Sequence, residues 1–422
     1  MGAALLSDIT AILKDMLLPY VRDNLPKQTI LMDQLKRNAG VTPMNDEFLA
    51  AVYTSRHGGV ANLANDGNNL VSASGRDTSR GTVAVETVSA SFRLSKLNID
   101  ASRTGQMAVE NNLTAQTRTL ITDVSRHINR QYYNDGVGVI SQVRTTGGSV
   151  GTGTIAVKYM DASLDDGRSI DWYGTINGDI SPTKYFAADQ VIGVGTGGAA
   201  YGTVTSVTGT TVVVGAPTAI VTAAEDAIYI GDGSAAGAGT SEILGVRAAL
   251  SSTTGTSTYA GLARNVNAWT PSFGSASEAV SLDRMTQRFI AAREFAQSGD
   301  KYIFLMNATP YRKYGNLLTA MRIVTNEAEL LGGFKGLTFA AGGNDVVGVF
   351  LDYEVPDGEV LCLNLDTWTI CQVDDLSWVS GADGQPLLRV SQTITYEAAL
   401  VWFTNLMCLA PGANGRDTRK TA

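Results

Sequence analysis

The stretch that decides the fold runs from Glu110 to Gly136 and reads ENNLTAQTRTLITDVSRHINRQYYNDG. Apolar residues recur in it at helical spacing and form one stripe, made of Leu113, Leu120, Ile121, Val124, Ile128 and Tyr132. Gly136 stands where a helix would stop. At 1.5 Å per residue, about 24 helical residues make a rod of roughly 36 Å. We expect a long central helix on which other layers of the fold pack. From this segment alone, an ordinary long surface helix is the simpler interpretation.

Another face of this helix carries a basic residue at nearly every fourth position. Arg118, Arg126 and Arg130 are predicted to form a basic strip on an inner surface. Because no aromatic stacking platform accompanies them, a nucleic-acid-reading site is poorly supported. Contact with a packed polyanion and salt bridges to a neighbouring subunit both remain open.

Composition narrows the classes of protein. A chain of 422 residues suggests two to four domains. Charged residues make up 17%, below the usual value of about 25%, as expected of a protein whose surface is largely covered by partners. The net charge of −8 argues against a sequence-reading nucleic-acid binder, which needs a dense basic face, but does not exclude a protein that encloses nucleic acid.

Reactive and metal-binding residues are scarce. The three cysteines lack CxxC spacing, which argues against a disulfide framework or a zinc site and favours buried thiols: Cys362, Cys371 and Cys408. His57 and His127 have no evident partner and are interpreted as structural.

The run Gly193–Gly198 matches GxGxxG, but the residues after it predict a strand where a dinucleotide site needs a helix. We therefore predict no catalytic residue, no metal and no cofactor.

The first half of the chain predicts two segments that need a partner. Residues 1–48 form an arm with an apolar helical face that includes Leu5, Ile9 and Ile12. The arm resembles no secretory signal, and no run is apolar enough to span a membrane. Residues 49–97 predict a long hairpin, with alternation from Thr82 to Ile99 and a turn-rich tip that carries Arg76, Asp77 and Arg80. A lone hairpin is marginal in water, so we expect it to pack on another subunit.

Residues 141–240 change in composition. They hold 18 of the 45 glycines, and nine acidic residues stand against four basic ones, which leaves the segment at −5. Short β-prone runs recur at even spacing, which predicts an all-β barrel or sandwich inserted into the parent fold. The charge is consistent with a solvated, outward module.

From Glu242 onward the pattern is α+β. A helix capped by Ser281, a buried strand at Tyr302–Met306 and a helix starting at Thr309-Pro310 are predicted in turn. A turn at Gly381–Gly384, with Asp383, precedes a strand at Leu387–Tyr396 and an apolar segment that closes the core. The polar tail Gly412–Ala422 is predicted to be loosely held.

The order of these parts resembles the major capsid proteins of tailed bacteriophages. The most specific stretch is Glu242–Leu250 (EILGVRAAL), followed by Thr258–Arg264 (TYAGLAR) and Trp269. Each later match is weakly specific by itself, but the matches occur in the same order along the chain as in that family. They are Gly333–Gly336, Leu363–Trp368, Leu388–Val390, Tyr396–Ala398 and Asn405–Cys408.

The resemblance implies an HK97-type α+β capsid fold with the β domain inserted. Its regions are an N-arm (1–48), an E-loop (49–97), a peripheral domain with the spine helix (98–140), the insert (141–240), an axial domain (241–363), peripheral return strands (364–400) and an axial closing segment with tail (401–422). It also implies interface roles for Asp383 and Gly384 in a peripheral loop. The insert departs from the minimal pattern of the family.

The function implied is an icosahedral shell of hexamers and pentamers that encloses a double-stranded DNA genome in the virion, assembled in the host cytoplasm. Implied partners are other copies of the chain, a scaffolding protein, a portal and a decoration protein. Residues 49–95 contain no lysine, so we predict a non-covalent shell. The alternatives are an encapsulin-like nanocompartment and an enzyme built on residues 241–363.

Overall fold

The computed structural model describes residues 29–53, 60, 62, 75, 77–95, 106–136, 138–143, 147–159, 183–194, 200–209, 211–222, 226–230, 242–251, 258–264, 269–274, 278–296, 301–320, 327–329, 335–340, 346–356, 358–381, 388–390 and 393–418. The predicted N-terminal apolar helix, the hairpin tip and the turn at Gly381–Gly384 lie mostly outside these residues.

Helices are few and strands are many in the described residues. The α-helices are α1 (Ile30–Gln34), α2 (Gln106–Tyr133), α3 (Val246–Ala249), α4 (Leu282–Arg293) and α5 (Ala308–Ala320). The strands of the first half are β1 (Lys36–Arg37), β2 (Val41–Met44), β3 (Glu47–Tyr53), β4 (Thr78–Ala84), β5 (Glu86–Ser95), β6 (Val139–Val143), β7 (Gly147–Tyr159), β8 (Val191–Val194), β9 (Ala200–Thr208), β10 (Thr211–Thr222) and β11 (Ala227–Ile230). Those of the second half are β12 (Thr258–Tyr259), β13 (Leu262–Ala263), β14 (Ser272–Gly274), β15 (Tyr302–Met306), β16 (Glu327–Glu329), β17 (Lys335–Ala340), β18 (Val346–Leu351), β19 (Val360–Asn364), β20 (Trp368–Gln372), β21 (Ser377–Trp378), β22 (Leu388–Arg389), β23 (Thr395–Cys408) and β24 (Gly415–Asp417).

The long helix is confirmed, and it packs on a six-stranded sheet. The sheet order is β1-β20-β23-β21, with β5 and β22 also paired to β23. The helical stripe is buried at its four C-terminal members, Ile121, Val124, Ile128 and Tyr132. Inward-facing side chains of β5 and β23 alternate with exposed ones, because successive strand residues point to opposite faces. The helix and sheet therefore share one core.

A seven-stranded sheet forms the second layer, in the order β14-β24-β19-β15-β18-β17-β16. All five residues of β15 are buried, because the sheet is covered on both faces. Ile303 and Leu305 join the core shared with α2, whereas Phe304 and Met306 face a separate core under α4 and α5. Ser281 caps α4 as predicted, since its Oγ accepts a hydrogen bond from the Arg284 amide at 3.3 Å.

The hairpin region divides differently from the prediction. The predicted strand from Thr82 to Ile99 is two strands: β4 pairs with β3 in a three-stranded sheet with β2, whereas β5 joins the six-stranded sheet. The buried apolar positions change from the odd-numbered Val83 to the even-numbered Val88, Phe92 and Leu94, so the alternation shifts by one residue between the two strands. The prediction of a single strand overlooked this shift. The described base of the ribbon is buried within the chain, through Phe48, Val52 and Val83.

The strands between residues 139 and 230 form a closed six-stranded barrel in the order β10-β7-β6-β11-β8-β9, where the sequence predicts an all-β insert over residues 141–240. Its interior is filled by branched apolar side chains, including Ile155, Val157, Ile192, Val204, Val212 and Ile228. Gly193 and Val194 of the GxGxxG match lie in β8, and the next described element is β9. A strand therefore follows the match, as the sequence predicts.

Three local predictions are wrong. The tail is not loose where it is described, because β24 is a buried strand inside the seven-stranded sheet. The predicted strand Leu387–Tyr396 is broken by a turn in which the Val390 amide bonds to the Thr395 carbonyl at 3.0 Å. Helix α5 begins at Ala308 with the Asn307 side chain accepting from its amide, so Pro310 lies inside the first turn.

Candidate functional site

The predicted basic strip is not one exposed surface. Arg118 and Arg126 are exposed on α2, but Arg130 is only 5% exposed and faces the interior. Asp77 and Arg80 are exposed at the ribbon. The remaining predicted interface residues lie outside the described residues: Leu5, Ile9, Ile12, Arg76, Asp383 and Gly384.

Arg130 instead forms a buried ion pair with Glu242. The arginine Nη2 donates to the Glu242 carboxylate, and the two side chains are 5% and 7% exposed. Burial alone would lower the pKa of Arg130, but the facing carboxylate raises it overall. The pair joins the last turns of α2 to the segment that leaves the barrel. Alternation and spacing within α2 could not reveal a partner 112 residues away.

A second buried group, Asp352, lies beside this pair at the end of β18. Its carboxylate accepts hydrogen bonds from Asn129 Nδ2 at 3.1 Å, Tyr133 OH at 2.9 Å and the Glu354 amide at 2.9 Å. Burial raises the pKa of Asp352, although these donors oppose the shift. The last two turns of α2 are thus fixed to the seven-stranded sheet by polar contacts.

The barrel is attached to the same point through two side chains. Lys184 Nζ donates to the Tyr353 carbonyl at 2.8 Å and to Glu354 Oε2 at 3.2 Å. Tyr185 OH donates to the same Glu354 carboxylate, and the Arg130 guanidinium lies 5.7 Å from the Tyr185 ring centre. We call Lys184, Tyr185 and Glu354 the barrel latch.

A cavity of about 900 Å³ lies between α2, the barrel latch and the loop after β18. His127 lines it and shares a 2.7 Å hydrogen bond with Gln131. Burial, reinforced by Arg130, lowers the pKa of His127 to about 4, so the ring is neutral near pH 7. Two cations of this wall, Arg130 and Lys184, are ion-paired with carboxylates of other elements, which is the arrangement of a structural joint.

The motif that carries the family resemblance has a physical explanation in the structure. Gly245 lies against the C-terminal end of α2, where a Cβ would come within 2.5 Å of the Tyr132 and Asn134 carbonyl oxygens. The Asn405 side chain accepts from the Leu244 amide at 2.8 Å and donates to the Ala84 carbonyl at 2.7 Å. This short segment therefore joins the helix, the ribbon and the six-stranded sheet.

The next residues that carry the resemblance, Tyr259, Arg264 and Trp269, close the same core. Arg264 Nη1 donates to the Ala249 carbonyl at 2.6 Å, and its guanidinium lies 5.5 Å from the Tyr259 ring centre. Trp269 Nε1 donates to the Tyr259 carbonyl at 3.2 Å, and Tyr259 OH accepts from the Cys408 amide at 2.9 Å. A loop with little regular structure is thereby held in one conformation.

Surfaces that could contact other molecules carry exposed apolar side chains. Phe403 of β23 is 44% exposed and lies opposite Thr87 of β5. Val373, just after β20, is 51% exposed and its amide donates to the Phe403 carbonyl at 3.1 Å. Other exposed apolar residues of the described set are Met44, Tyr53, Val60, Ile290, Val346, Tyr353, Val379 and Ile394. The outer face of β5 and β23 also carries an ion pair, in which Arg93 Nε lies 2.9 Å from Glu397 Oε2.

Two other kinds of site are absent from the residues that the structure describes. No cluster of three or more His, Cys, Asp or Glu side chains in that part of the chain is arranged to hold a metal ion. Of the helices described, none combines the length and apolar character needed to cross a membrane.

Comparison with known proteins gives structural neighbours but no sequence relative. No family model and no curated protein matches the sequence. The structure is similar to the capsid asymmetric unit of cyanophage A-1(L), with 13% identity, a TM-score of 0.49 and 93% of each chain covered. It is similar to the capsid of a native GTA particle, with 9% identity, a TM-score of 0.44 and coverage of 93% and 90%. It is also similar to the capsid of Myoviridae phage XM1, with 11% identity, a TM-score of 0.36 and coverage of 93% and 91%.

Proposed function

We propose that this chain is the major capsid protein of a tailed bacteriophage. In this proposal many copies assemble as hexamers and pentamers into an icosahedral shell that encloses double-stranded DNA in the virion. Its work is mechanical and includes no catalytic step. Contacts between copies are individually weak, but each copy makes several, so the closed shell is stable.

The observation that carries the proposal is the order of parts around α2. A β-ribbon precedes the helix, a barrel follows it, and two sheets share a core with its inner face. This is the order that the sequence resemblance implies for a spine helix between an E-loop and the peripheral and axial domains. The motif Glu242–Leu250 supports the same assignment, because its residues join the end of the helix to the ribbon and the six-stranded sheet.

We assign the regions on the same basis. The peripheral domain comprises α2 and the six-stranded sheet, which adds β5 and residues 401–408 of β23 to it from the predicted E-loop (49–97) and axial closing segment (401–422). The axial domain comprises the seven-stranded sheet with α4 and α5. The ribbon of β3 and β4 is the base of the E-loop, and residues 141–240 are an insertion. Arg118 and Arg126 are proposed to face the enclosed DNA, without reading its sequence.

The partners other than the chain itself are part of the proposal. We expect a scaffolding protein and a portal during assembly in the host cytoplasm, and a decoration protein on the finished shell. Expression of the chain alone would give irregular polymers if scaffolding is required. Correct closed shells from the chain expressed alone would remove the scaffolding protein from the proposal.

The test is to purify the protein after expression with the neighbouring genes and to image it by electron microscopy. The proposal predicts closed icosahedral particles of megadalton mass that contain nuclease-protected DNA. Closed particles that hold protein cargo and no DNA would favour the nanocompartment. A small oligomer under these conditions would contradict both shell functions and leave an enzyme as the alternative.

A further inference from the structure

Residues Pro411–Thr418 lead into the seven-stranded sheet beside its edge strand β14. A 3₁₀ turn, Pro411–Ala413, leads into β24, which lies between β14 and β19. In the described sheet β14 pairs with β24 alone, so this segment connects β14 to the other strands. The segment therefore occupies a slot that other parts of the chain form on both sides.

Main-chain contacts hold the segment in an extended conformation. The Ser272 amide donates to the Asn414 carbonyl at 3.0 Å, and the Thr418 amide donates to the Gly274 carbonyl at 2.8 Å. On the other side β24 runs antiparallel to β19, with Arg416 opposite Leu361. These bonds resemble those of a peptide added to a sheet, which supply affinity without much specificity.

Asn414 enters the first side-chain pocket. Its Oδ1 accepts from the Asn364 amide at 2.8 Å and from Trp368 Nε1 at 2.9 Å. Its Nδ2 donates to Thr367 Oγ1 and to the Ala410 carbonyl, each at 3.0 Å. Asn414 is fully buried, so a side chain without this pattern of donors and acceptors would leave the pocket unsatisfied.

Arg416 enters the second pocket and is also fully buried. Its Nε and Nη2 donate to the two oxygens of Glu359 at 3.0 and 2.7 Å, which is a bidentate pair. Arg247 Nε lies 3.6 Å from the same carboxylate, and the Arg416 guanidinium lies 5.6 Å from the Phe273 ring centre. A planar fork fits this pocket, and a lysine ammonium cannot make the same two bonds.

Asp417 enters the third pocket, on the side of α4. Its Oδ1 accepts from Arg288 Nε at 2.8 Å, and Arg288 Nη1 also donates to Ser272 Oγ at 3.0 Å. Gly274 leaves room for this pair, because a Cβ there would collide with Asp417 Oδ1 and Arg288 Nη2. Gly415 also lies close to Arg288, because a Cβ added at Gly415 would be 3.4 Å from Arg288 Cβ.

We infer that the seven-stranded sheet contains a peptide-binding slot, which takes an extended peptide of the pattern Asn-Gly-Arg-Asp-Thr and which residues 414–418 of this chain occupy. Apart from the Ala410 carbonyl, which Asn414 bonds within its own segment, the partners in all three pockets belong to other elements. The covalent connection to β23 runs through Leu409 and Ala410 alone. The segment is therefore a bound ligand that happens to be linked to its receptor. A chain cut at this connection retains the peptide through non-covalent contacts.

The experiment uses the full chain with a protease recognition sequence inserted between Leu409 and Ala410. The folded protein is cleaved, and native mass spectrometry and gel filtration report whether the released peptide stays with the body. We expect the peptide to co-elute with the folded body and to leave at least about tenfold faster in Arg416→Lys. Arg389→Lys, at an exposed arginine of β22, is the matched control and is expected to leave release unchanged.

Prompt loss of the peptide from a body that stays folded would overturn the inference, and so would equal release rates in Arg416→Lys and Arg389→Lys. A second measurement needs no cleavage. Hydrogen exchange on the unmodified chain is expected to show the amides of β24 protected as strongly as those of β19. Exchange of β24 at the rate of an exposed segment would contradict the slot even if the inserted site prevented folding.

Discussion

Arg130 and Glu242 form a buried ion pair that closes the chain around the barrel. Every residue of the barrel lies between these two in sequence, yet their side chains are in contact and the Glu242 amide donates to the Gly136 carbonyl at 3.3 Å. The helix that precedes the barrel and the strandless segment that follows it therefore meet at one point. The body of the protein is continuous there without the barrel.

Removal of one charge at this point should be costly. In Glu242→Gln the Arg130 guanidinium stays buried opposite a neutral amide, so we expect the free energy of unfolding to fall by about 3 to 5 kcal/mol. Urea unfolding of the unassembled subunit measures this. Glu397→Gln is the control, because Glu397 pairs with the largely exposed Arg93 and should cost less than about 1 kcal/mol. Equal losses of unfolding free energy in the two variants would show that the buried pair contributes no more to stability than the exposed one.

The close approach of Gly245 to α2 gives a paired glycine test. Gly245→Ala places a methyl group against main-chain oxygens that cannot move without unwinding the helix end, so we expect a loss of about 1 to 3 kcal/mol. Gly315 lies within α5, and a Cβ there would meet open space, so Gly315→Ala should gain about 0.5 to 1 kcal/mol. Thermal unfolding of the two variants should move in opposite directions. A shift of the same sign would contradict the described packing at Gly245.

His127 predicts a dependence of stability on pH. Its pKa in the folded chain is about 4, below the ordinary value of 6.5, so the unfolded chain binds the additional proton first. Its contribution is fully present above pH 6.5 and is lost as the pH falls from 6.5 toward 4, by up to about 3 kcal/mol.

The measurement for His127 is urea unfolding of the parent and of His127→Gln at pH 7 and pH 4.5. Asp352 and Glu86 have raised pKa values and act in the opposite direction, so the difference between variant and parent is the informative quantity. We expect the variant to lose less stability on acidification than the parent. A parallel loss in both proteins would contradict a neutral, buried His127.

The meeting of Gly136 and Glu242 predicts that the barrel can be excised. Replacement of residues 138–240 by a short Gly-Ser linker removes the barrel latch but keeps the Arg130–Glu242 pair. We expect a soluble chain that unfolds cooperatively and still self-associates. The same excision with Glu242→Gln should fail to fold, because the joint then lacks both supports. An excised chain that aggregates while the ion pair is intact would show that the barrel is part of the core.

The sequence also predicts how copies are held together. Residues 49–95 lack lysine, so no ε-amine of this segment is present to form an amide link to a neighbour. Denaturing gel electrophoresis of mature particles should show a single band near 44.5 kDa. A ladder of covalent oligomers would contradict a non-covalent shell.

Sequence reasoning predicted the elements whose signal is local. The stripe from Ile121 to Tyr132 marks α2, and even spacing of short β-prone runs marks the barrel, because both follow from side-chain periodicity. Gly136 has a φ of +86° and lies three residues beyond Tyr133, the last residue of α2. The glycine therefore marks the end of the helix to within three residues.

The joint and the final strand could not be predicted in this way. Arg130 looked like part of a basic surface because its partner Glu242 is distant in sequence. Asn414, Arg416 and Asp417 looked like a solvated tail for the same reason, since polar residues are buried only where remote partners satisfy them. Neither Glu359 nor Arg288 carries a local signal that marks it as such a partner.

The measurement that tests the central proposal most directly is the native mass of the protein produced with its assembly partners, by analytical ultracentrifugation. A shell subunit predicts a sharp species in the megadalton range that contains most of the protein. A single compact monomer or small oligomer at high concentration, with the same partners present, would contradict the proposal.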